Sequence, residues 1–162
     1  MNRRTFLATT SSLAAVGPVL AAGGNAKRTS TSNSVPRKVI IGTAMQSFWG
    51  PYPGLQKRLE QLAGIVDQMA AQAEKKHSRG LDLAVLPETA ITGEAEGDAL
   101  GHSVAFDGPV REVFSQKARE HGCYVVVPTY LHDSKEKKRC SNAAILVGRK
   151  GETVGAYRCI RS

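Results

Sequence analysis

A change of period between residues 55 and 86 constrains this chain more than anything else in it. Leu55, Leu59, Leu62, Ile65, Val66, Met69 and Ala73 recur at intervals of three and four, with Lys57, Arg58, Glu60, Gln61, Asp67 and Gln68 between them. That spacing predicts a two-faced helix over Leu55 to Lys76 whose apolar stripe covers a sheet. Ser78-Arg79-Gly80 stops it, with Gly80 the expected C-terminal cap. The period then collapses. Leu81 to Leu86 (LDLAVL) is a short apolar run and reads as a buried strand. Val39 to Gln46 (VIIGTAMQ), before the helix, reads the same way. Ser47 to Gly54 (SFWGPYPG) has two prolines and two glycines in eight residues and must be a loop.

The remainder repeats the alternation. Asp107-Gly108-Pro109 opens a second helix, with proline at its first position. Val110 to His121 carries Val110, Val113, Phe114 and Ala118 on one side, and Gly122 ends it. Cys123 to Val127 is a third strand. Ala143 to Val147 and Thr153 to Tyr157 flank Gly148-Arg149-Lys150-Gly151 as a hairpin. Continuous apolar strands alternating with amphipathic helices predict an α/β layered sheet. If Arg149-Lys150 is a two-residue turn, position 140 faces 159 across the hairpin. A Cys140–Cys159 disulfide is then one option and free thiols the other; Cys123 stays unpaired in either case.

The first residues stand apart from this pattern. Residues 1–22 have an arginine pair, a weakly apolar stretch and a small-residue end, the build of an export signal. Arg3-Arg4-Thr5-Phe6-Leu7 resembles a bacterial twin-arginine signal, so a periplasmic location is expected. The apolar stretch is too short, and too interrupted by Gly17-Pro18, for a stable membrane anchor. Residues 23–37 are rich in Ser, Thr, Asn and basic groups and read as a flexible linker. Residues 38–162 make the folded domain. The net charge of +8 falls to +6 once Arg3 and Arg4 are removed. The basic residues are scattered in sequence and not interleaved with aromatics, so no nucleic-acid partner is expected. His77, His102, His121 and His132 lack metal-ligand spacing, and no phosphate-binding glycine loop occurs.

Glu88 stands out because it follows Pro87 at the end of an apolar strand, where α/β sheets gather functional groups. Proline stiffens the backbone there. Partial desolvation beside the strand is expected to suit the carboxylate to act as a base. On position alone, a solvated strand-end glutamate or a helix cap is the competing reading.

VLPETAITG resembles the first active-site motif of the nitrilase superfamily, the carbon–nitrogen hydrolases. Phe106 to Tyr130 resembles the helix and strand after that motif, and Ser141 to Arg158 the hairpin that ends in Tyr-Arg-Lys. Together with the opening strand, the likeness runs from about Val39 to Arg158. It implies the N-terminal half of a four-layer α-β-β-α sandwich, commonly paired into homodimers and needing no metal or organic cofactor. It also implies a chemistry. A cysteine thiolate attacks an amide, nitrile or carbamoyl carbon, Glu88 is the general base, and a lysine stabilises developing charge.

The chain departs from this pattern after Arg158. Cys159 occupies the expected lysine position and is not expected to function there, since a thiol supplies no positive charge. No cysteine sits on a strand-to-helix turn like that of the family nucleophile. Cys123 reads as a buried structural thiol and Cys140 as the start of a hairpin. The expectation is a small-molecule hydrolase lineage whose chain is inactive as it stands, with a non-catalytic binding or assembly module as the alternative. An abrupt change after Arg158 is also what a shifted reading frame produces.

Overall fold

The computed structural model describes residues 36–48, 51–92, 95–105, 107–132 and 139–159. The expected signal segment and nearly all of the expected linker lie outside these residues, as does most of the basic stretch before Cys140. The described elements are β1 (Ile41–Thr43), α1 (Leu55–His77), β2 (Leu83–Val85), α2 (Pro109–His121), β3 (Tyr124–His132), β4 (Cys140–Val147) and β5 (Thr153–Cys159). They form a five-stranded sheet in sequence order, β1 to β5. β1, β2 and β3 run parallel, while β3–β4 and β4–β5 are antiparallel. Both helices pack on one face, as the α/β reading predicts.

The alternation along the strands explains this layering. Ala84, Val125, Val127, Leu131, Ala143, Ile145 and Val147 point toward the helices and are buried with Leu59, Leu62, Val66, Phe114 and Ala118. α1 lies so close to β1 that a Cβ at Gly42 would sit 3.0 Å from Met69 Sδ. The intervening residues form the opposite face. Leu83, Val85, Val126, Ala144 and Leu146 are only half-buried there, and Ile41 and Tyr157 are exposed at 57% and 73%. Among the described residues no layer covers that face.

Several boundaries move from their sequence expectation, each for a physical reason. β1 is three residues long because it is an edge, where Val39 and Met45 are left to solvent. β3 continues past Val127 through Pro128 to His132. Its parallel partner β2 ends at Val85, so a missing proline donor is tolerated on that side. The cap of α1 is Ser78 and not Gly80: Ser78 takes the left-handed conformation (φ 50) and donates its N–H to Glu74 O. Gly122 does cap α2, at φ 59.

At the amino end of β2, Asp82 ties distant segments together. It is 6% exposed and accepts from Ile40 N (2.9 Å), Arg37 Nη2 (2.6 Å), Arg79 Nη2 (2.7 Å) and Arg149 Nη2 (2.9 Å). The Ile40 N–H, Arg37 and Arg79 hold the Asp82 carboxyl below the usual carboxylate range, against the opposing cost of burial.

Candidate active site around Glu88

The site is built at the opposite, carboxyl end of the parallel strands. Leu86 N still reaches Val126 O across the sheet at 3.2 Å. The chain then turns at Pro87, with Ala90 N returning to Pro87 O at 3.3 Å and Thr92 N to Thr89 O at 3.1 Å. Within this turn Thr89 has φ 53. A β-branched residue in the left-handed region costs about 1–3 kcal/mol, so the turn persists only because its surroundings hold it.

Glu88 leaves this turn toward the uncovered face. Its Oε1 accepts from Asn142 Nδ2 at 2.7 Å. The carboxylate is exposed, which corrects the expectation of a desolvated base. The reason is architectural: the sheet face beside it has no covering layer among the described residues. Sequence reasoning missed Asn142. A signal was present, because asparagine is disfavoured inside strands and stands here beside the apolar run Ala143 to Val147.

Register sets the neighbours of that pair. Asn142 lies opposite Tyr130 on β3 and opposite Cys159 on β5. Directly paired residues share a face, so Tyr130, Asn142 and Cys159 form one row on the side where Glu88 is held. The position at which a lysine is expected lies opposite the asparagine that holds Glu88, and a thiol stands there. The turn expected at Arg149-Lys150 is longer: Gly148 N donates to Glu152 O at 2.7 Å, and Gly151 has φ 79. A bulge follows. Val147 pairs with Thr153 and Leu146 with Gly155, which leaves Val154 as an extra residue. Cys140 therefore faces His132 on β3 and not Cys159, and all three cysteines are free. Burial pushes the Cys123 thiol up, as fits a structural role. Cys159 is exposed and Cys140 half-buried.

Arg58 is a second residue that sequence reasoning placed wrongly. It reads as part of the solvated side of α1, yet it is 2% exposed. Its Nη1 donates to Ala90 O at 3.0 Å and its Nε to Gln61 Oε1 at 3.1 Å. Its guanidinium lies 3.8 Å from the Phe48 ring centre and 5.5 Å from that of Tyr52. Burial raises the Tyr52 pKa, with the Arg58 charge opposing. The signal was its spacing: position 58 is three after Leu55 and four before Leu62, on the buried stripe.

Among the described residues one group of potential metal ligands converges elsewhere, Asp67, Glu120 and His121, between the two helices. The Lys117 ammonium already occupies it, 2.9 Å from Asp67 Oδ2 and 2.8 Å from Glu120 Oε2. The chemistry is that of a helix–helix ion-pair network and not of a cation site.

The profile of the family described as carbon-nitrogen hydrolase matches residues 46–161. The chain belongs to the carbon–nitrogen hydrolase family. No curated protein sequence matches it. Solved structures do. Nit3 of Saccharomyces cerevisiae, a member of branch 10 of the nitrilase superfamily, matches at a TM-score of 0.54 and 18% identity over 69% of this chain and 41% of its own. XC1258 of Xanthomonas campestris, a CN-hydrolase superfamily protein, gives 0.52 and 17% over 74% and 38%. A carbon–nitrogen hydrolase of Helicobacter pylori gives 0.51 and 20% over 76% and 40%. These identities establish a shared fold. The chain spans about two fifths of the length of each of these proteins. Its two described layers, helices on a mixed sheet, are an α/β part of that fold. Among the described residues no helix is long and apolar enough to cross a membrane.

Proposed function

We propose that this domain supplies the general-base part of a carbon–nitrogen hydrolase acting on small amides, nitriles or carbamoyl compounds. The observation that carries the reading is the Glu88 carboxylate, held by Asn142 at the carboxyl end of β2 and facing the open side of the sheet. In that role Glu88 takes the proton of a cysteine thiol. With an amide or carbamoyl compound the thiolate adds to the substrate carbon and the amine or ammonia leaves with that proton; with a nitrile the proton goes to the nitrogen of a thioimidate, which loses ammonia after water adds; in both cases water then releases the acyl group. The described residues do not fill the other two roles. Position 159 offers a thiol in place of an ammonium, Cys123 is buried, and Cys140 faces His132. The chain alone is therefore proposed to be inactive, with a nucleophile and a cation coming from a further layer over the open face. The arginine pair at residues 3–4 supports export to the periplasm.

The test starts from the gene. The nucleotides after codon 158 are translated in all three frames, and any frame giving a lysine and then a cysteine on a strand-to-helix turn is joined to the domain. Expected results are no ammonia release by the present chain, release by the joined protein, and a loss of about 100-fold or more in Glu88→Gln. Undiminished turnover in Glu88→Gln overturns the reading. One observation favours a second reading, a non-catalytic assembly module: the uncovered apolar face. If no frame supplies the two residues, that reading takes precedence.

A further inference from the structure

We infer that Arg37, Arg79 and Arg149 form a binding site for a phosphate-type oxyanion at the amino end of the parallel strands, away from Glu88. The inference is independent of the reading of Glu88. The three arginines come from the segment before β1, the connection from α1 to β2, and the turn between β4 and β5. Basic residues that are scattered in the sequence are brought by the fold to one carboxylate. Asp82 Oδ1 accepts from Arg37 Nη2 at 2.6 Å and from Arg149 Nη2 at 2.9 Å, and Oδ2 accepts from Arg79 Nη2 at 2.7 Å. One carboxylate balances one guanidinium. Three on the same group leave positive charge in excess, and cations that share an oxygen repel one another. Among the described residues no acidic side chain other than Asp82 pairs with them. Lys38 and Lys150 adjoin Arg37 and Arg149, and no Asp or Glu occurs in the chain before Glu60. Glu152 is the acidic group of the hairpin turn, and it is engaged with the Lys150 N–H at 2.9 Å.

The guanidinium groups are oriented before any ligand arrives. Asp82 is buried and anchors all three. Arg79 is held on both nitrogens of its fork, since Nη1 donates to Lys38 O at 2.6 Å. Arg149 lies 5.2 Å from the ring centre of Tyr124, which begins β3. Orientation fixed in advance lowers the entropy lost on binding. A guanidinium carries five N–H donors, and Arg37 and Arg149 give Asp82 one bond each. Their side chains are 60% and 42% exposed, so the rest of each fork meets solvent. A tetrahedral oxyanion suits this arrangement. It offers several acceptor oxygens, takes paired bonds from planar guanidinium groups, and brings the negative charge that the cluster lacks. Free phosphate, a phosphate monoester and a phospholipid headgroup share that chemistry.

The test is an NMR titration of the whole chain with inorganic phosphate at pH 7, at constant ionic strength with chloride as the balancing ion. Saturable shifts are expected in the backbone and Nε–H signals of Arg37, Arg79 and Arg149. The double variant Arg37→Gln with Arg149→Gln is expected to weaken binding by about tenfold or more. Lys57→Gln removes an exposed charge at the start of α1 and is expected to change it less than about twofold. If the double variant does not fold, Arg37→Gln, the most exposed of the three, carries the comparison. Vesicles of phosphatidylcholine with phosphatidylglycerol separate the sources. Co-sedimentation that phosphate competes away and the variant lacks supports a headgroup, whereas phosphate binding without co-sedimentation supports a soluble phosphate compound. Shifts that never saturate, or that chloride alone reproduces, overturn the proposal, and so does undiminished binding in the variant.

Discussion

Asp82 and the cysteines show how single side chains divide their work between the two ends of the sheet. Asp82 sits at the end away from Glu88, and four donors converge on it, one from the neighbouring Arg79 and three from two distant segments. Asp82→Asn is expected to cost about 2 kcal/mol in urea unfolding at pH 7, less than for a fully buried pair because its arginines keep contact with water. Its folded pKa lies below the unfolded value of about 3.9. The stabilisation is therefore complete above that value and disappears as pH falls through the folded pKa. A urea series from pH 7 to 3 is expected to show this component in the parent and not in Asp82→Asn. The cysteines give a second expectation. In the native protein a thiol reagent labels Cys159 first and Cys140 more slowly, whereas Cys123, fully buried, reacts only as fast as the chain unfolds. Fast labelling of Cys123 contradicts the buried assignment.

At the scale of elements, the contact between α2 and the hairpin depends on a glycine. Ser115 Oγ donates to Gly151 O at 2.7 Å, and a Cβ at Gly151 would lie 2.9 Å from Ser115 O and run into the Arg119 guanidinium. With φ 79 added, Gly151→Ala is expected to destabilise by at least about 1 kcal/mol, measured as a lower urea midpoint with an unchanged slope. The same elements show what sequence reading reaches. Both helices were legible because their apolar stripes repeat over many residues, and Pro109 and Gly122 mark the ends of α2. The place of Glu88 just past the carboxyl end of β2 was legible from the apolar strand and the proline that follows it. The length of β3 was not, since Pro128 reads as a break until it is clear that β2 has already ended beside it. Nor was the state of Glu88 legible, because exposure depends on what covers the sheet, and no residue near Glu88 encodes that. Arg58 was misplaced because charge outweighed spacing in the reading of α1.

At the scale of the whole molecule, the decisive property among the described residues is a sheet with one covered side. Leu83, Val85, Val126, Ala144 and Leu146 remain half-buried, and Tyr157 lies open beside them. Apolar area of this kind drives association. Sedimentation velocity is expected to show concentration-dependent self-association of the domain, reduced in Leu146→Lys and Tyr157→Lys. A monomer at all concentrations contradicts this. Which residues reach that side is settled by Val154, the extra residue of the β5 bulge. Were Val154 instead paired with Leu146 in a regular ladder, Arg158 would stand opposite Asn142, and Cys159 would turn toward the helices. The hairpin is therefore a counting device of odd and even. Substitutions between Glu152 and Arg158 leave the count untouched, and loss of Val154 itself only removes the bulge, whereas losing or gaining one residue between Gly155 and Arg158 with the bulge kept exchanges the two sides of the strand beyond it.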